Sequence, residues 1–182
     1  MVDQSPPAYT PVARVLHWLT AVLVLTTIAV GITMANFVDE GPVQNFLYNL
    51  HQTIGAALIP ILLIRLIYRL THRPLPLPQD IPAYQRITAE TVHWLLYLLL
   101  MIQLIVGWIG KSAYGAPITV FWAFNLPPIW RKDSDFSEDV LAVHDVIGFA
   151  IAGLLCLHIG AALFHHFVRR DRVLLRMVTG AA

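Results

Sequence analysis

Two histidines, His144 and His158, stand fourteen residues apart in one apolar stretch, VLAVHDVIGFAIAGLLCLHIGAALFHHFV. At about 100° and about 1.5 Å per residue, fourteen helical steps return to within about 40° of the same face after about 21 Å. One helix would then present two imidazoles on one stripe at two depths. Ionisable groups within a membrane segment are costly unless paired or ligated, and mark function by default. The chemistry that uses two stacked imidazoles is axial ligation of two heme irons, where protein control lies in ligand identity, hydrogen bonding and burial.

The elements that must carry them are set by composition. The chain has 182 residues, 57% hydrophobic and 13% charged, with mean hydropathy +0.65, which is too apolar for a soluble domain of this size. A spanning helix needs about 20 mostly apolar residues, and four stretches qualify, at about 15–37, 51–70, 87–110 and 140–168. These predict an all-α membrane protein, a single four-helix bundle occupying 1–182. The first stretch lacks a Lys-rich start and a small-residue cleavage site, and it contains His17, so it reads as a retained helix. The single cysteine, Cys156, excludes an intrachain disulfide.

Orientation follows Lys and Arg. With both termini cytoplasmic, that side carries Arg14, Arg65, Arg69, Arg73, Arg86, Arg169, Arg170, Arg172 and Arg176, against Lys111, Arg131 and Lys132 opposite. No basic run points to nucleic acid. The second loop, THRPLPLPQDIPAYQR, holds four prolines and predicts an extended cytoplasmic strap. The third places Phe121, Trp122, Phe124 and Trp130 between prolines and predicts a segment lying in the headgroup zone, or else a lid over the outer site. The basic amphipathic tail, VRRDRVLLRMVTGAA, would lie along the interface. No internal repeat and no low-complexity tract stands out.

Depth sorts the histidines. His51 opens the second helix on the outer side and pairs in depth with His144; His17, His93 and His158 form an inner set. Ligands from two helices clamp a macrocycle, and His51 with His144 and His17 with His158 meet that requirement as heme-iron ligands. Imidazoles could instead serve as interhelical hydrogen-bonding groups or line a heme-free transport path, but transport expects central carboxylates, and Glu90 and Asp145 lie near helix ends. Arg65, fourteen residues after His51, shares its stripe and suits an inner heme propionate, since guanidinium binds carboxylate through two parallel bonds. Snorkelling toward headgroups beside Arg69 and Arg73 is the alternative.

The opening RVLHWLTA with His17, NLHQTIGAAL with His51, TVHWLLYLLL with His93 and the VHDVIGFAIAGLLCLHIGAALFHHF run resemble the bacterial cytochrome b561 family over nearly the whole chain. That resemblance implies four-helix inner-membrane cytochromes with two bis-histidine hemes b, electron exchange with ubiquinone and, in some members, superoxide oxidation at the periplasmic face. It implies His17 and His158 as inner ligands and His51 and His144 as outer ones, with His93 matching a family histidine of open role. An anionic donor favours a positive funnel, whereas Asp133, Asp135, Glu138 and Asp139 accompany the three outer cations. A quinone would need proton-carrying groups beside the inner heme, and His93, His165 and His166 are the candidates because histidine titrates near neutrality. The expected partners are ubiquinone, a small periplasmic donor such as superoxide, and the bilayer; a redox protein partner served by a non-enzymatic relay is the competing reading.

Overall fold

The computed structural model describes residues 9–72 and 81–180. Its four long helices are α1 (Pro11–Asn36), α2 (Pro42–Thr71), α3 (Ala83–Tyr114) and α4 (Ser134–Phe164). A two-stranded hairpin, β1 (Ile118–Val120) and β2 (Phe124–Leu126), joins α3 to α4, and a π-helical turn, His165–Arg169, leads to α5 (Val173–Val178). All four long helices have the length and apolarity to cross a membrane. Their outward faces are apolar, as at Leu25, Ile64, Ile105, Phe149 and Leu157, which suits lipid rather than water. The proline-rich strap at 73–80 and the lead-in at 1–8 lie outside the described residues.

Local chemistry explains the helix ends. Thr10 caps α1, its hydroxyl accepting from the Ala13 amide at 3.2 Å, with Pro11 in the first turn, where its missing N–H costs nothing. Asp133 caps α4 through the Phe136 amide at 3.2 Å. Gly115 ends α3 in the left-handed conformation, φ 84°, that a residue with a side chain rarely adopts.

Three expectations change. His51 does not open α2: the helix begins at Pro42, so the first loop is short and His51 lies nine residues inside, matching His144, ten residues inside α4. A proline at the first helical position starts the helix earlier than hydropathy alone suggests. The third loop is not merely a surface segment but a β-hairpin, with Ile118 opposite Leu126 and Val120 opposite Phe124. Its turn holds Phe121 and Trp122 in left-handed backbone, φ 51° and 55°, a conformation costly for bulky residues. Thr53 retains it, its hydroxyl accepting from the Phe121 amide at 3.1 Å and facing the Thr119 carbonyl at 3.4 Å, while Trp122 stacks on Phe46.

Third, there is a repeat. The α1–α2 and α3–α4 hairpins share His-Trp-Leu followed by Val-Gly on their first helices, and His-x-x-Ile-Gly on their second. So few identities, divided between two helices and separated by loops of different length, do not register as periodicity. Midway between the histidine layers the core is apolar: Val24, Leu58 and Ile151, each at the middle of its fourteen-residue interval, are buried.

Candidate heme-binding layers

The outer layer brings together His51 of α2 and His144 of α4, with ring centres 6.1 Å apart. The inner layer brings together His17 of α1 and His158 of α4 at 6.2 Å, with His93 of α3 against His158 at 5.2 Å. Two imidazoles that bind one metal ion from opposite sides, each nitrogen about 2 Å from it, have ring centres about 6 Å apart. Both layers therefore fit a bis-histidine iron.

Each outer ring rests on a glycine of the preceding helix. A methyl group at Gly31 would stand 3.1 Å from His51 Cε1, and one at Gly107 would stand 2.9 Å from His144 Cε1. His51 Nδ1 lies 3.0 Å from the Thr27 carbonyl oxygen. A carbonyl only accepts, so Nδ1 carries the proton and the lone pair of Nε2 is left for a metal. His144 Nδ1 is buried without a hydrogen-bond partner. Gln103 holds the backbone beside it, donating through Nε2 to the His144 carbonyl at 2.9 Å.

Charge distinguishes the inner layer. Arg65 donates to His17 Nδ1 at 2.8 Å and lies 5.3 Å from the Tyr97 ring centre. Arg69 spans the rings of Trp94 and Tyr97 at 5.2 and 5.6 Å, with its Nε buried and unbonded. Among the described residues no carboxylate pairs with Arg65 or Arg69. Cations without counter-charge on spanning helices are expensive in a membrane, so the layer is suited to an acidic group carried by a ligand, as heme propionates are. Arg65 turns to His17 and Tyr97.

His165 and His166 sit apart from this cluster, in the π-turn beyond α4. His165 Nδ1 meets Asp171 at 2.5 Å, and His166 packs edge-on to Phe167. Burial raises the Asp171 carboxyl, but hydrogen bonds from His165 and the Val173 amide, with the Arg169 charge, outweigh it and hold it below the usual carboxylate range. Nearby, burial pushes the Tyr9 phenol up against the opposing charges of Arg69 and Arg176. Trp18 Nε1 donates to the Met177 carbonyl at 3.0 Å and Arg14 to that of Val178 at 3.2 Å, so α5 is fastened against the start of α1.

Two depressions open on the surface, neither lined by a layer histidine. One of about 390 Å³ runs along the lipid-facing side of α3 past Glu90, Thr91, Trp94 and Leu98. The other, about 410 Å³, lies beneath the hairpin among Trp108, Asn125, Trp130 and Lys132. Sequence reasoning missed Gly31, Gly107, Thr27 and Gln103. The glycines stand fourteen residues after His17 and His93, the same interval that singled out the α4 histidines.

Comparison with known proteins identifies the family. A family model described as prokaryotic cytochrome b561 matches residues 8–180. Cytochrome b561 homolog 2 of Escherichia coli (strain K12) is 30% identical over 96% of this chain and 93% of its own. Cytochrome b562 of Cereibacter sphaeroides is 32% identical over 94% and 96%. The probable superoxide oxidase CybB of Yersinia pestis is 26% identical over 90% and 91%. With its four spanning helices and paired histidine layers, the chain belongs to the prokaryotic cytochrome b561 family, multi-pass bacterial membrane proteins that bind b-type heme and transfer electrons.

Proposed function

We propose that this cytochrome carries single electrons across the inner membrane through two hemes b, oxidising superoxide or another small periplasmic donor and reducing ubiquinone. The observation that supports this most is the repetition of one ligating geometry, ring centres 6.1 and 6.2 Å apart, in two layers of the same bundle. When bound, heme b supplies reversible one-electron chemistry, and two imidazole ligands leave no open position for O₂.

The residues of the chain do the rest. His51 and His144 would hold the outer iron, with the Thr27 carbonyl fixing the His51 tautomer and raising its basicity. His17 and His158 would hold the inner one. Here Arg65 matters twice. A guanidinium only donates, so while it bonds Nδ1 of a neutral His17, the His17 proton sits on Nε2, the nitrogen needed for ligation. A heme propionate would offer Arg65 a carboxylate for a bidentate pair, and His17 Nδ1 would then be free to carry the proton. Arg65 would thereby serve both the propionate and the His17 tautomer.

At the outer end, the cleft beneath the hairpin offers Lys132 and the Asn125 amide to a small anion. Its wall residue Trp108 follows Gly107, on which His144 rests, and Thr53, which pins the hairpin, is two residues from His51. The quinone reading rests on the α3 groove, which opens to lipid on the helix that carries His93, with His165 held by Asp171 as a route for protons from the cytoplasm. Purified protein given superoxide and a short-chain ubiquinone tests this: ubiquinol should form with the hemes cycling. Hemes that superoxide leaves oxidised, but that a periplasmic cytochrome reduces, would favour the relay reading instead.

A further inference from the structure

The two hairpins correspond at the positions that build the layers. On α1, His17 and Gly31 are fourteen apart; on α3, His93 and Gly107 are fourteen apart. On α2 the equivalent interval joins His51 to Arg65, and on α4 it joins His144 to His158. Contacts follow the same rule. Gly31 supports His51 within the first hairpin and Gly107 supports His144 within the second. Arg65 meets His17 within the first at 2.8 Å, and His158 meets His93 within the second at 5.2 Å between ring centres.

The outer layer is therefore a matched pair, with one histidine and one glycine from each hairpin. The inner layer is not. Where the second hairpin has His158, the first has Arg65, so three imidazoles and one guanidinium share four equivalent positions.

We propose that Arg65 determines which inner imidazoles ligate: it fills the position equivalent to His158, leaves His93 without a partner from α2, and so confines inner ligation to His17 and His158. This rests on the two-heme reading above. A guanidinium has no lone pair to give and keeps its proton at any physiological pH, so position 65 cannot ligate as it stands. The pair His17–His158 joins α1 to α4; exchanging the hairpins turns it into His93 paired with residue 65, joining α3 to α2. An imidazole at position 65 would face His93 as His158 faces His17. His93, the copy of a ligand without a ligating partner, is then free to hydrogen-bond or carry a proton beside His158.

The test is a gain of binding in the full-length protein, read as heme per chain and as the low-spin spectrum rather than as turnover. His158→Ala should lower heme from about two to about one per chain, the outer heme remaining as an internal measure of folding. Adding Arg65→His should restore the second. The restored heme should survive a further His17→Ala and disappear with a further His93→Ala. Should the double variant not accumulate, Arg65→His with His158→Arg keeps the guanidinium in the layer and carries the same test. A rescue that fails while the outer heme is intact overturns the proposal, as does a restored heme that depends on His17. A parental protein with a single heme would instead overturn the two-heme reading.

Discussion

The outer and inner histidine layers are built on the same four helices, yet the surroundings of their rings differ. Outer imidazoles are seated by backbone: glycine at 31 and 107, and a carbonyl at Thr27. Inner imidazoles are seated among side chains, with Arg65, Arg69 and Tyr97 supplying charge and ring surface. Backbone seating fixes ligand orientation and leaves little to adjust. Side-chain seating leaves uncompensated cations that a ligand must answer, which makes the inner layer the one that responds to charge.

The largest expected effect separates the layers outright. His51→Ala or His144→Ala should remove the outer heme and leave the inner one, and His17→Ala or His158→Ala should do the reverse, each lowering pyridine hemochrome from about two to about one per chain. If His93→Ala costs a heme and His17→Ala does not, the inner pairing is wrong.

Glycine substitution sharpens the contrast. Gly31→Val and Gly107→Val place bulk where a single carbon already lies 3.1 and 2.9 Å from a ligand ring. Overpacking of about 1–3 kcal/mol should fall on the outer layer, so outer heme occupancy drops while the inner spectrum is kept. Equal loss from both layers in a hemochrome assay would show that the glycines serve helix packing in general.

Charge should act in the opposite place. Arg65→Gln removes a cation from the inner layer, which favours the oxidised state and lowers the inner midpoint potential, and it should weaken inner heme binding by about tenfold. The outer midpoint should stay where it is in the same redox titration. A shift of both would mean that the layers are not electrostatically separate.

The smallest effect lies beyond both layers. The Asp171 carboxyl sits below its usual range in the fold, so the stabilisation it gives is present above that range and is lost as pH falls through the depressed value. Trp18, bonded to α5, reports the event: its fluorescence should change only in acid, and Asp171→Asn should abolish the transition. The same variant should slow heme–quinone exchange without altering the heme spectrum. Exchange at the parental rate would place proton delivery elsewhere than His165.

Much of this was legible in the sequence. The four spans and the depth sorting of His17, His51, His93, His144 and His158 follow from hydropathy and a fourteen-residue interval, because a helix converts spacing directly into face and depth. The hairpin at Ile118–Leu126 was not legible, since its turn is made by Phe121 and Trp122 rather than by glycine or asparagine, and Thr53 on a distant helix holds it. Gln103 and the Gly31 and Gly107 seats were hidden for a different reason: small and amide residues are ordinary in membrane helices, so the fourteen-residue interval to each glycine gains meaning only once the glycine is seen against a ring, and Gln103 only once it is seen to bond the His144 carbonyl. Arg65 was visible by its stripe, but its contact with His17 depends on how α1 and α2 pack.

The most direct test of the account is a redox titration of the purified protein with heme quantified per chain, repeated on His51→Ala and His158→Ala. The account predicts about two hemes b with two resolvable midpoints in the parent, and one remaining in each variant, at the inner and the outer potential respectively. A single heme in the parent, or the same midpoint surviving in both variants, would contradict it.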